Sequence, residues 1–170
     1  MKLKIDFKKS DFDEQQLNEI RWGLGNNVDV SKYANTDFTW EKMEQIRIGL
    51  LDNLDISKYA NPDYGWDKMA QIRWGLEKKL DISKYANPDF TWRQMREIRL
   101  GLENNVDVLF YADIKYTWQQ MEQMRLGLED FVNVTYYADY TLSASQMETI
   151  REYLNKKTTA DIKAVIDDTI

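Results

Sequence analysis

Apolar side chains recur along this chain with helical spacing, and the whole pattern then recurs every 26 residues. Trp40, Met43, Ile46 and Leu50 form one stripe. Trp66, Met69, Ile72 and Leu76 repeat it, as do Trp92, Met95, Ile98 and Leu102. Steps of three and four residues place each set on one face of an amphipathic helix. Each stripe follows a residue suited to an N-cap: Asp13, Thr39, Gly65, Thr91, Thr117 or Ser143. Three positions on stand Gln16, Lys42, Lys68, Gln94, Gln120 and Gln146. Thr91–Gln94, Thr117–Gln120 and Ser143–Gln146 fit the capping box, in which two side chains satisfy backbone donors that the helix leaves orphaned. A helix of about three turns is predicted from each cap.

A second, shorter pattern fills the rest of the period. Leu54-Asp55-Ile56-Ser57-Lys58-Tyr59-Ala60 is echoed from Leu80 to Ala86 and, with drift, from Val28 to Ala34. It is too short for an ordinary helix and predicts a single α or 3₁₀ turn, capped by Asp29, Asp55, Asp81 and Asp107. Asn61-Pro62-Asp63 and Asn87-Pro88-Asp89 supply the turns back to the next long helix. A constant period in this range marks a stacked repeat protein, in which each unit touches mainly its neighbours. The expected fold is all-α: a short α-solenoid of about five to six helix–loop–short-helix repeats, closed by a C-terminal capping helix. Residues 11–157 would form the array. Residues 1–10 would be an extension in which Leu3, Ile5 and Phe7 alternate as in a strand, and 158–170 the cap, opened by Thr158-Thr159 with Ile162, Val165 and Ile166 on one side.

Three recurring features of the repeat call for a packing cause. Ile48, Trp74, Leu100 and Leu126 lie off the stripe, which predicts helices covered on two sides. Gly23, Gly49, Gly75, Gly101 and Gly127 each cost about 1 kcal/mol against Ala in a helix. Either a neighbouring backbone or ring comes too close for a methyl group, or these glycines are C-terminal caps. Tyr153 breaks the series, as if nothing packs there. Finally, Arg21, Arg47, Arg73, Arg99, Arg125 and Arg151 fall at the edge of the stripe. A partly buried guanidinium requires acceptors. Carboxylates of the Asp55 or Asp63 class are candidates, with a different acceptor for Arg125 because position 133 is Asn. A structural ladder outweighs a row that grips an anionic partner, because the Arg occurs in every copy.

Departures from the repeat are the better guide to function. Lys32, Lys58 and Lys84 become Phe110 and Tyr136; Asn27, Asn53, Lys79 and Asn105 become Phe131; Ser31, Ser57 and Ser83 become Leu109 and Thr135. Either these residues form an exposed aromatic patch for a protein partner, or the final helix covers them. A second variable row, Asn18, Glu44, Ala70, Arg96, Glu122 and Glu148, is a solvated face or a surface that tunes partner choice; Ala70, Arg96 and Glu122 are its candidate contacts.

Composition then removes whole classes of chemistry. The 170 residues are 43% apolar and 13% aromatic, enough for a buried core. With no Cys and no His, disulfides, thiolate metal sites and the commonest general base are absent. The glycines stand 26 apart instead of clustering in a phosphate loop. The Asx-rich turns lack the closing Glu of a calcium loop. Neither an enzyme, a cofactor nor a metal is expected. A net charge of −6 without a basic run disfavours direct nucleic-acid binding. No apolar stretch reaches the length of a membrane span, and a cytoplasmic monomer or weak homodimer is expected.

The wording Trp-x-x-Met-x-x-Ile-Arg-x-Gly-Leu followed by Leu-Asp-Ile-Ser-Lys-Tyr-Ala-Asn-Pro-Asp-Phe, here at Trp66–Leu76 and Leu80–Phe90, resembles a tandem helical repeat of bacterial plasmid, phage and conjugative-element proteins. The resemblance covers about residues 11–154. It implies short helical repeats attached to mobile-element proteins and carries no catalytic residue. Gly65 for the capping Thr and Ala144 for the Trp depart from it. The expected function is a non-enzymatic protein-interaction module, an accessory protein of a mobile element. The alternative is an acidic inhibitor of a host defence nuclease acting by protein binding through Asp52, Asp55, Glu103, Glu129 and Asp130, although denser charge would be expected of a DNA mimic.

Overall fold

The computed structural model describes residues 8–167, and the side chains among them except at Lys9 and residues 158–167. The proposed strand at Met1–Phe7 and the side chains of Ile162, Val165 and Ile166 lie outside the described residues. Among the described residues every regular element is helical: α1 (Glu14–Gly25), α2 (Trp40–Leu51), α3 (Trp66–Glu77), α4 (Trp92–Glu103), α5 (Trp118–Glu129) and α6 (Ala144–Asp167). A 3₁₀ turn of three residues follows each of α1 to α5, beginning at Val30, Ile56, Ile82, Val108 and Val134. A further 3₁₀ turn, Lys9–Asp11, precedes α1. The fold is therefore an all-α tandem repeat of the α-solenoid kind. The chain divides into two compact units, Met1–Lys79 and Leu80–Ile170. In the first, α1 packs on α2 and α2 on α3; in the second, α4 packs on α5 and α5 on α6.

The predicted caps explain where the helices start. Asp13, Thr91 and Thr117 each accept the N3 backbone N–H, while Gln16, Gln94 and Gln120 accept the cap's own N–H. Ser143 and Gln146 exchange the same pair of bonds at 2.8 and 3.2 Å. The same glutamines do a second task. Their amides donate to a carbonyl 22 residues on, Gln16 to Phe38, Gln94 to Tyr116 and Gln120 to Leu142, at 2.6–2.7 Å. One residue thus caps its helix and sets its distance from the next repeat. Thr39 and Gly65, followed by Lys42 and Lys68, make no side-chain cap bond.

The short turns begin as expected. Asp29, Asp55, Asp81, Asp107 and Asn133 cap them, each accepting the backbone N–H two residues on. The Ser57 and Ser83 hydroxyls hold the Asp55 and Asp81 carboxyls below the usual carboxylate range. These aspartates are thereby spoken for, and they are not the acceptors of the Arg ladder.

The glycines mark a close approach. A methyl group at Gly23, Gly49, Gly101 or Gly127 would lie 1.8–1.9 Å from the hydroxyl of Tyr33, Tyr59, Tyr111 or Tyr137 respectively. Each hydroxyl donates to a helix carbonyl four residues before its glycine: Glu19, Gln45, Glu97 and Gln123. These rings, with Tyr85, are the largest fully buried side chains. Burial raises their phenol pKa values, to about 12 at Tyr33 and Tyr137 and further at Tyr59, Tyr85 and Tyr111. Helix capping falls instead to the residues four positions after these glycines, as described below.

Two expectations need correction. The off-stripe row is not fully covered: Trp74 is exposed, and Ile48, Leu100 and Leu126 are half-buried. The C-terminus does not begin a separate helix at Thr158-Thr159, because α6 runs unbroken from Ala144 to Asp167. In earlier repeats the helix is stopped by a left-handed residue followed by an apolar one, as in Asn53-Leu54. At the corresponding place Lys157 matches the left-handed Lys79, but Thr158 replaces the apolar residue and Tyr153 the glycine, so the stop signal is incomplete. Tyr153 is exposed, as the broken glycine series suggested.

Candidate interaction surface

The recurring arginines bond to the preceding helix, and not through the carboxylates expected of them. Arg47, Arg73, Arg99 and Arg125 are buried. The Nε of Arg47 donates to Glu19 at 2.7 Å, of Arg73 to Gln45 at 3.0 Å, of Arg125 to Glu97 at 2.9 Å and of Arg151 to Gln123 at 3.0 Å. The acceptor is always 28 residues earlier, two positions before the Arg of the preceding helix. Glu77, Glu103 and Glu129 pair in-helix with Arg73, Arg99 and Arg125. Arg21, on the first of the described long helices, instead donates to Glu14 and Asn18 of its own helix and is exposed. Acceptors of the Asp55 and Asp63 class are overturned, and Arg125 uses Glu97 and Glu129 irrespective of Asn133, which caps a turn. The row Glu19, Gln45, Gln71, Glu97, Gln123 was legible as a run of amide or carboxylate side chains, but its direction was not.

The variable row splits. Ala70 is 2% exposed and is unavailable to a partner, which removes it as a contact residue. Arg96 is exposed and Glu122 half-buried. Arg96 donates to Glu97, a carboxylate with no solvent exposure, so this cation helps neutralise the ladder.

The aromatic departures are open to solvent. Phe131 is 90% exposed, Leu109 and Tyr136 70%, and Phe110 41%. They are not covered by the final helix. Leu109 and Phe110 sit on the 3₁₀ turn Val108–Phe110, and Tyr136 ends the turn Val134–Tyr136; Val108 and Val134 are the residues those turns bury. Phe110 and Tyr136 hold the same position one repeat apart and therefore share an edge of the second unit. Phe131 borders a cleft of about 390 Å³ whose other walls are residues 104–107, Leu128 and Glu129. The Asn104 amide donates to Glu129 at 2.7 Å across this edge.

Phe131 also carries backbone strain. Asn27, Asn53, Lys79, Asn105 and Phe131 have φ between 55° and 59°. Each stands one residue past a helix C-cap, and after Asn27, Asn53, Asn105 and Phe131 the next residue's N–H reaches back to the glycine carbonyl, as Leu54 does to Gly49 and Val132 to Gly127, both at 2.8 Å. This motif wants Gly or Asn at the left-handed position, because a Cβ there crowds the following carbonyl. Asn suits three of the five sites, and Phe is among the poorest choices. A solvated aromatic in a strained conformation stabilises nothing visible in the fold.

A second cleft in the same unit, about 410 Å³, lies between Thr91, Gln94 and residues 114–119. Its aromatic faces are already occupied. The Arg93 guanidinium lies 5.2 Å from the Trp92 ring and 5.3 Å from Trp118, and the Lys115 ammonium 5.5 Å from Tyr116 and 5.4 Å from Tyr140. Of the carboxylates considered for nuclease inhibition, Glu103 and Glu129 are ion-paired and Asp55 caps a turn. Among the described residues no cluster of carboxylates could hold a metal, and no helix is long and apolar enough to cross a membrane. The chain matches no family model, no curated protein and no solved structure.

Proposed function

We propose that this protein is a non-enzymatic protein-binding module whose site is the aromatic edge of the second unit, formed by Leu109, Phe110, Phe131 and Tyr136. The observation that carries the proposal is Phe131, 90% exposed at φ 59° where the other copies place Asn or Lys. Exposed aromatics beside a cleft are the usual anchors of protein interfaces. Residues that cost stability are retained where function uses them. The motif resemblance supports a role as an accessory protein of a bacterial mobile element, acting on a host or element-encoded protein.

Affinity capture from a bacterial lysate tests the module and its site together. The intact protein is compared with a Phe110→Lys, Tyr136→Lys variant that restores the lysine of earlier repeats and is first shown to be folded. A protein retained only by the intact form supports the proposal. Identical capture by both removes this surface.

A further inference from the structure

The partner chemistry can be taken one step further from how charge is distributed over the repeats; this step rests on the protein-binding proposal above. From Glu103 to Tyr140 the chain carries seven carboxylates against two cations, Lys115 and Arg125, which places −5 of the total −6 in that stretch. The stretch in the same phase two repeats earlier, residues 51–88, carries six of each and is neutral. The difference comes largely from the departures already described: Lys58 and Lys84 give way to Phe110 and Tyr136, and Lys79 to Phe131. The two cations that remain are engaged. Arg125 is buried between Glu97 and Glu129, and Lys115 pairs with Asp113 at 3.0 Å. Of the seven carboxylates, Glu103 and Asp130 are reached by Arg99 and Arg151 from outside the stretch, whereas Asp107, Glu122 and Asp139 have no ion pair among the described residues.

Two of those carboxylates flank the rings. Asp107 is exposed, three residues before Phe110, and accepts only a backbone N–H within its turn among the bonds described. Asp130, next to Phe131, is exposed; it accepts from Asn155 at 3.1 Å and stands 3.7 Å from Arg151. Among the described residues, none of the protein's own cations lies over the rings of Phe110, Phe131 or Tyr136, in contrast to Trp92, Trp118, Tyr116 and Tyr140. An aromatic face with a carboxylate beside it attracts a guanidinium or ammonium through both the ring quadrupole and the charge.

We propose that the edge formed by Leu109, Phe110, Phe131 and Tyr136 with Asp107 and Asp130 docks a basic segment of a partner protein. Arginine and lysine side chains of that segment lie over the rings and pair with the carboxylates, while an apolar side chain of the segment enters the cleft between Phe131 and residues 104–107.

The test is binding of a fluorescein-labelled peptide rich in Arg and Lys with interspersed Leu, measured by anisotropy on the full chain. The control is the same peptide with Gln at every basic position. The basic peptide should bind, and its affinity should fall about tenfold from low to several hundred millimolar salt as the charges are screened. Phe131→Asn should weaken it about tenfold, the loss expected of one interface anchor, with no loss of thermal stability, because Asn is the residue three other copies use there. The proposal is overturned if the basic peptide binds no better than its Gln control, or if Phe131→Asn binds it unchanged. A captured protein that requires Phe110 and Tyr136, yet is released neither by salt nor by the basic peptide, overturns the charge argument while leaving the binding module standing. Capture indifferent to Phe110 and Tyr136 overturns both.

Discussion

Gly49→Ala should destabilise the protein, although the same change at Gly25 should not. In an unhindered helix the substitution stabilises by up to about 1 kcal/mol. At Gly49 the new methyl would lie 1.8 Å from the Tyr59 hydroxyl. Ordinary contact begins near 3.4 Å, so the hydroxyl would have to retreat by about 1.6 Å. Tyr59 is fully buried, and its hydroxyl donates to the Gln45 carbonyl at 3.2 Å, so retreat sacrifices a bond and displaces core. Overpacking costs about 1–3 kcal/mol and the lost bond about 1 kcal/mol, against which the helix gain is set. A net loss of about 1–3 kcal/mol lowers Tm by about 3–10 °C for a chain of this size. Tyr59→Phe removes the obstructing atom and leaves the ring carbon 3.1 Å from the methyl, a contact that small adjustments relieve. The double variant should therefore be more stable than the sum of the two single changes by about 1–2 kcal/mol. Urea unfolding followed by tryptophan fluorescence measures all four corners of the cycle. Gly25, with nothing within 4 Å of its absent methyl, is the control in the same kind of helix. Stabilisation by Gly49→Ala, or additivity within about 0.5 kcal/mol, would refute the wedge.

Phe131→Asn should raise Tm by about 2–4 °C, since leaving a crowded left-handed conformation recovers about 1 kcal/mol; a lower Tm in calorimetry would show that the ring packs after all. Glu97→Ala should cost about 3 kcal/mol, because it strips an acceptor from buried Arg125, whereas Glu97→Gln should be mild, since Gln45 and Gln123 serve Arg73 and Arg151 in the same way; equal losses in urea melts would argue against the ladder. Alkaline titration has a definite sign. The buried tyrosines keep the neutral form in the folded state, so the stability they contribute is complete below the unfolded pKa of 10 and drains away as pH rises through about 12 and beyond. Absorbance of tyrosinate should therefore show these five rings ionising together with loss of helical circular dichroism, and gradual ionisation in a folded chain from pH 10 would contradict their burial.

What the sequence determined by itself was everything written locally and repeated. Caps at Asp13, Thr91, Thr117 and Ser143 act within one turn of helix, and the aspartates of the short turns bond two residues on, so neighbouring residue types suffice to place each element. The 26-residue period turned those elements into an all-α repeat, and the recurring glycines, whose cost needed a cause, narrowed to a close approach or a C-terminal cap, between which the buried tyrosines decided at Gly23, Gly49, Gly101 and Gly127. The tertiary structure decided the rest, wherever the answer depends on how one helix lies on the next. Arg47 reaches Glu19, 28 residues away, instead of the nearer Asp55, because stacking aims the guanidinium back at the preceding helix while Asp55 is held by Ser57. Ala70 occupies the same register as exposed Arg96, yet is buried. Thr158 looks like a cap in isolation, but without the glycine and the apolar residue that complete the stop in earlier repeats, α6 runs through. Phe131 stands out in the sequence as a departure from Asn and Lys, but the cost of that departure does not. Only the backbone, which turns left-handed at that position to end α5 and send the chain back across the repeat, leaves its ring strained and in water.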